Sequence, residues 1–268
     1  MTYLLEQVNY LGNCIISLSN VIYLCKKQNV KFSTDLSKFW TKLPFVDIEK
    51  IPFFVKEFEN KHVIKSNFFN GINMSKEERL EIITKYIKPY VNINVKELPI
   101  KTCVIHVRSG EIFEQGGIHK NYIQPPFAFY KKIIDDFYNI FDEFIVITQK
   151  DRRNPVITLL ENCSDKIKIQ SSSLEYDLSV LLGAQSIISG FGTFIPMILF
   201  LSDKIKRIFC LEYCDYFNFF GTVPGVEIIK YDFSKPYVSP GSWCNSEEQI
   251  QMMKNFPLEN IQKVILGE

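Results

Sequence analysis

Apolar positions along the chain follow two alternating rhythms. Short runs rich in β-branched residues are separated by stretches whose apolar residues return every three or four positions, the pattern of strands alternating with amphipathic helices. Ile15, Ile16, Leu18, Val21, Ile22 and Cys25 keep helical spacing after a Gly12-Asn13 turn, and Val30-Lys31-Phe32-Ser33 follows as a strand. Val63-Ile64 marks another short strand. Ser75 and Glu78 form a capping-box signature for a helix running through Tyr86, with Leu80, Ile83 and Ile87 on its apolar side and Pro89 ending it.

The second half is more regular. Strands are predicted over 102–107, 144–148, 166–169, 186–189 and 207–211. Between them lie helices over 127–138, opened by Pro125-Pro126, and over 155–162 and 174–182, and one after Gly190-Phe191-Gly192-Thr193. The stretch holding Pro224, Pro236 and Pro240 reads as loop-rich, and a helix pair is expected after Ser246. This order predicts an α/β protein with parallel sheets, arranged as two Rossmann-like halves that divide between residues 95 and 125.

Composition narrows the setting. A chain of 268 residues with 46% hydrophobic and 23% charged positions is globular, and long enough for one large domain or two smaller ones. Thirty-one basic against 30 acidic side chains leave a net charge of +1, too little to hold nucleic acid by bulk field. No apolar run approaches the roughly 20 residues of a membrane span, and the first residues lack a basic leader, so a cytoplasmic protein is expected. The seven cysteines contain no C-x-x-C pair, which removes zinc-type spacing and favours reduced thiols packed as small hydrophobes. Ala128 and Ala184 are the only alanines among abundant Ile, Lys, Asn and Phe, a bias of an AT-rich microbial or viral genome rather than of a function.

In parallel α/β sheets ligands bind at the carboxyl ends of the strands, which singles out three loops. The first is Leu11-Gly12-Asn13, where glycine permits close backbone approach and a helix start offers free amides to an anion; an ordinary turn or cap explains it equally. The second is His106-Val107-Arg108-Ser109-Gly110-Glu111. Strand alternation puts His106 and Arg108 on one face, and a guanidinium at a sheet end suits phosphate oxygens, with a structural ion pair as the alternative. His106 reads equally as a core histidine, and Glu111 is either a proton acceptor or a solvated side chain. The third is Ser171 to Asp177, whose helix carries Glu175 and Asp177, followed by Gly190-Phe191-Gly192-Thr193-Phe194, where amides and the Thr193 hydroxyl could hold a diphosphate. It matches neither a P-loop nor G-x-G-x-x-G, which counts against a dehydrogenase, and there is no H-E-x-x-H or G-x-S-x-G.

Together the three loops resemble the motifs of the fucosyltransferase superfamily, the α-1,2- and α-1,6-fucosyltransferases and protein O-fucosyltransferases. Its members open with a Gly-Gly-Leu-Gly-Asn-like turn, here Asn9-Tyr10-Leu11-Gly12-Asn13 with Asn9 and Tyr10 in place of glycines. They carry His-x-Arg at a strand end, here His106-Val107-Arg108, and close with an acidic helix and a Ser-Thr-Phe-like loop, here Glu175 to Asp177 and Gly192-Thr193-Phe194. The resemblance implies a GT-B fold, two Rossmann-like domains facing a central cleft. Residues 1–100 would be the acceptor side, 101–245 the nucleotide-sugar domain, and 246–268 helices packing back on the first domain.

It further implies an inverting, metal-independent transfer of fucose from GDP-fucose to a glycan hydroxyl, with no cofactor. No Asp-x-Asp, the usual metal-diphosphate motif of sugar transferases, occurs in the chain. By that likeness Arg108, in one motif with His106, neutralises the departing β-phosphate, and Gly192-Thr193-Phe194 hold the phosphates. Asp177 or Glu175 meets the base or ribose, and Gly12 and Asn13 approach the diphosphate from the other domain. Glu111, just beyond Arg108, is the preferred base for deprotonating the acceptor on its position alone. Tyr122, Phe127 and Tyr130 would line the acceptor site or the core. Another UDP- or GDP-linked donor, or a non-catalytic nucleotide- or sugar-binding module, are the alternatives.

Overall fold

The computed structural model describes residues 2–5, 11–34, 45–56, 61–64 (backbone), 72–114, 120–214 and 216–264. In chain order the main elements are β1 (Thr2–Leu5), α1 (Leu11–Gln28), β2 (Lys31–Thr34), β3 (Lys61–Ile64), α2 (Lys76–Tyr86), β4 (Thr102–Val107), α3 (Phe127–Asp136), β5 (Glu143–Thr148) and α4 (Val156–Glu161). Then follow β6 (Ile167–Gln170), α5 (Leu174–Gly183), β7 (Ser186–Ile188), α6 (Phe194–Leu201), β8 (Arg207–Leu211), α7 (Tyr216–Phe220), β9 (Glu227–Phe233), α8 (Glu247–Asn255) and β10 (Ile261–Lys263). The chain divides into two compact units. One comprises Met1–Asn94, Thr193–Ser202 and Tyr216–Pro224, the other Val95–Gly192, Asp203–Asp215 and Gly225–Glu268.

The first unit is built on a parallel sheet in the order β2-β1-β3. Its central helix is α1, buried almost continuously from Gly12 to Cys25 and becoming charged only at Lys26-Lys27. A helix buried on nearly every side is enclosed by its neighbours, and α2 and α6 pack against it. Helix α6 reads Phe-Ile-Pro-Met-Ile-Leu-Phe-Leu and is buried from Ile195 onward. Arg79 of α2 is buried too, donating to Ser19 Oγ (3.1 Å) and Asn20 Oδ1 (3.3 Å) of α1 and lying 5.4 Å from the Phe220 ring centroid. Burial draws its pKa down to about 10, so it stays charged at neutral pH and must keep those partners. The predicted capping box is present, with Glu78 N donating to Ser75 Oγ (3.1 Å) and Ser75 N to Glu78 Oε2 (2.8 Å).

The second unit holds a seven-stranded sheet in the order β10-β9-β8-β7-β4-β5-β6, parallel except for β10. The run β6-β5-β4-β7-β8-β9 is the 3-2-1-4-5-6 order of a doubly wound sheet, and it reverses direction between β4 and β7. The central strands are buried because helices cover them, and Phe129, Tyr130, Ile133 and Ile134 of α3 supply much of that cover.

Two expectations change here. The proline-containing stretch holds a seven-residue strand, β9, whose Ile229 and Tyr231 alternate into the core while Pro224 and Pro236 stand outside it. After Ser246 one α-helix forms, α8, which packs on α3 and α4; Pro257 and a single 3₁₀ turn over Leu258–Asn260 follow it in place of a second α-helix, and β10 then pairs antiparallel with β9. The backbone hydrogen bonds to β9 hold residues 247–263 to the second unit rather than the first.

Candidate functional site

In the second unit two of the three predicted loops converge where the sheet order reverses. Strands β4 and β7 are paired neighbours, so the chain leaving Val107 and the chain leaving Ile188 emerge side by side at their carboxyl ends. A Cβ on Gly192 would stand 3.7 Å from Arg108 Nη1, and one on Gly190 would stand 2.6 Å from the His106 carbonyl oxygen and 3.4 Å from His106 Nδ1. The Arg108 side chain is only 16% exposed. Its Nη2 donates to Glu111 Oε1 at 2.7 Å, and its guanidinium lies 5.1 Å from the Tyr122 ring centroid. Tyr122 in turn packs on Phe191 at 5.2 Å between ring centroids. Carboxylate and aromatic face thus offset the desolvation of the cation and aim it.

His106 is held neutral. Burial, and after it the charge of Arg108, lower its pKa from the ordinary 6.5 to about 3. A neutral imidazole beside the guanidinium can accept or donate a hydrogen bond but adds no positive charge to the site. Tyr130, an expected lining residue, is buried in the core, whereas Phe127 is half-buried.

The loop carrying Arg108 is fastened to the loop after β5. Ser109, fully buried, donates through Oγ to Asp151 Oδ1 (2.5 Å) and accepts there from Asn154 N (3.0 Å). Gly110 N donates to the same Asp151 oxygen (3.1 Å), Ser109 N to Gln149 Oε1 (2.7 Å), and Asn154 Nδ2 to the Arg108 carbonyl (2.9 Å). Gly110 is required here, since its φ is +80° and a Cβ would press on the Gln149 side-chain amide. Gln149, Asp151 and Asn154 are not among the residues singled out from sequence, although their place just after a predicted strand is a usable signal.

Glu175 and Asp177 are not brought to Arg108. They sit in the first turn of α5, after β6, two strands along the sheet from β4, a lateral distance of roughly 10 Å. Glu175 is exposed. Asp177 is half-buried and accepts from Gln170 Nε2 (3.0 Å); burial raises its pKa above the usual carboxylate range, with hydrogen bonds from Gln170 and the Ser172 amide opposing.

The remaining predicted residues meet in the first unit. Gly12 and Asn13 lie in the first turn of α1, Thr193 directly precedes α6, and Phe194 is the first residue of α6. Thr193 Oγ1 donates to Asn13 Oδ1 at 2.7 Å. A Cβ on Gly12 would fall 2.6 Å from Thr193 Oγ1 and 2.7 Å from its carbonyl carbon, so only glycine lets the two helix starts touch. Asn9 and Tyr10 of the opening motif lie outside the described residues. Among the described residues no three His, Cys, Asp or Glu side chains are grouped to hold a metal ion, and no helix is long and apolar enough to cross a membrane.

No protein-family model and no curated protein sequence matches the chain. Solved structures do. E. coli heptosyltransferase WaaC with ADP aligns over 86% of this chain and 93% of its own, at 11% identity and a TM-score of 0.51. The iron-containing dodecameric glycosyltransferase TibC from enterotoxigenic E. coli aligns over 97% of this chain and 73% of its own, at 8% identity and a TM-score of 0.54. The fold is that of the GT-B glycosyltransferases. The α-1,6-fucosyltransferase NodZ, from Bradyrhizobium, also aligns, over 77% of this chain and 93% of its own, at 10% identity and a TM-score of 0.48. The approach of Arg108 Nη1 to Gly192 stands at the sheet position where doubly wound folds bind ligands.

Two measurements test this geometry. Gly12→Ala forces a methyl into the Thr193 backbone and is expected to cost about 1–3 kcal/mol in urea unfolding. The folded pKa of His106 lies below that of the unfolded chain, so its contribution is present above pH 6.5 and is lost as pH falls toward 3. Unfolding free energies measured from pH 7.5 to 4.5 should fall with a slope of up to about 1.4 kcal/mol per pH unit from this residue, and His106→Gln should flatten the curve.

Proposed function

We propose that the protein is a glycosyltransferase whose second unit grips the diphosphate of a nucleotide sugar with Arg108, and that the donor is GDP-fucose. The observation carrying this reading is the near contact of Arg108 Nη1 with Gly192 at the reversal point of a doubly wound sheet. A glycine there leaves room beside the guanidinium for a phosphate, and a planar fork of donors suits phosphate oxygens. In the proposed step an acceptor hydroxyl oxygen attacks the anomeric carbon of the sugar, inverting it. The bond to the β-phosphate oxygen breaks, the nucleoside diphosphate leaves with the electron pair, and Glu111 takes the hydroxyl proton. Charge grows on the leaving phosphate in the transition state, where the fixed cation does most. No metal is assigned a part. Asp177, also beyond the carboxyl ends of the strands, would meet the ribose or base.

The Glu111–Arg108 ion pair also favours a second reading. A carboxylate engaged by the guanidinium is not free to accept a proton until a ligand takes over the cation, and without that exchange the chain would bind a nucleotide sugar and not turn it over.

A thermal-melting screen with GDP, GDP-fucose, UDP, a UDP-sugar and ADP separates the donors, because a true ligand raises the midpoint by mass action. GDP and GDP-fucose are expected to raise it; if they leave it unchanged while UDP or ADP compounds raise it, the fucose assignment fails. Arg108→Ala should reduce transfer by on the order of 10²–10³-fold in a protein that still melts cooperatively. Glu111→Gln should abolish most turnover while GDP still binds. Wild-type protein that binds GDP-fucose and transfers to no glycan hydroxyl supports the binding module instead.

A further inference from the structure

The carboxyl end of β4 is fastened in a way the reaction itself does not require. A loop that merely closes a chain needs no buried polar hub, and burying one is costly unless every group is paired. Here Ser109 is fully buried and Asn154 nearly so, and both are engaged. Asn154 spans the gap between the loops, its side-chain amide donating to the Arg108 carbonyl and its Oδ1 accepting from Val156 N (3.0 Å) at the start of α4. Asp151 closes the other side, one oxygen gathering Ser109 Oγ, Gly110 N and Arg153 N. The backbone on the carboxyl side of Arg108 is therefore tied to the loop after β5 at three consecutive residues.

We propose that Asp151, together with Asn154 and acting through Ser109, is a positioning residue that sets where the Arg108 guanidinium points. The inference rests on the reading that Arg108 grips a nucleoside diphosphate, and it adds a specific claim about which group makes that grip rigid. A long side chain on an untethered loop samples many orientations, and each must be given up on binding. A tethered loop has lost them already. Asp151 is itself exposed, so its replacement leaves no cavity, and truncation tests the tether rather than the core.

The test is a double-mutant cycle on GDP binding by calorimetry, using wild type, Asp151→Ala, Asp151→Asn, Arg108→Ala and the pair Arg108→Ala/Asp151→Ala. Amide hydrogen exchange at Gly110 is followed in each ligand-free protein. Asp151→Ala should weaken GDP binding about tenfold, and Asp151→Asn, which keeps a neutral acceptor, should restore it to within about threefold of wild type. In the Arg108→Ala background Asp151→Ala should add less than about twofold, because a residue acting through Arg108 has nothing left to act on. Gly110 exchange should quicken in Asp151→Ala. Multiplicative losses, an unrescued Asn variant, or Asp151→Ala protein that binds GDP as wild type does would overturn the proposal. If wild type binds no nucleoside diphosphate at all, the transferase reading is lost instead. The tether is then judged by exchange alone, and an unchanged Gly110 amide refutes it.

Discussion

A guanidinium held nearly out of water at the end of a buried strand is the constraint around which the second unit is arranged. Such a group cannot be left to itself, and the structure answers with a carboxylate three residues on and a tyrosine ring beside it, while Gly192, whose φ of +118° suits glycine, passes close to the guanidinium. The carboxylate and the ring come from the connection that follows β4 itself, and Gly192 reaches Arg108 because β7 lies beside β4 rather than beside β6. The sheet order thus makes the site: the crossover that starts the second half of the doubly wound sheet brings Gly190 to Gly192 against residues more than eighty positions earlier in the chain.

The neutral imidazole of His106 belongs to the same balance. Placing a second cation beside Arg108 in a buried strand end would raise the cost of both, and burial together with the neighbouring charge keeps the ring unprotonated. With the ring neutral, Arg108 has no second cation beside it in His106.

Much of this is legible in the sequence. The dense strand over 102–107 and the capping box at Ser75 depend on local pattern alone, and both form as that pattern requires. The pairing of Arg108 with Glu111 is within reach of spacing, because a turn after a strand brings residues three apart together. What stays hidden depends on pairing between distant segments. Strand β9 has only two fully buried positions and sits among prolines, so its identity comes from β8 on one side and β10 on the other. Asp151 and Asn154 look like ordinary loop residues until the neighbouring strand supplies Ser109 to bond them. Conversely, Glu175 and Asp177 are legible as a helix start, but their distance from Arg108 follows from β6 being the edge strand.

The make-up of the first unit bears on how the chain is born. Its sheet and long α1 come from the first 94 residues, yet the apolar helix that encloses α1 is α6, and α7 adds Phe220 beneath Arg79. Neither exists until about a hundred residues beyond Asn94 have been added. A ribosome-bound N-terminal fragment must then carry the bare face of α1 until Pro224 has left the exit tunnel, a long interval of exposed apolar surface at ordinary elongation rates. Chaperone dependence during translation, and misfolding of any chain truncated at the end of the N-terminal segment, follow from that borrowed helix.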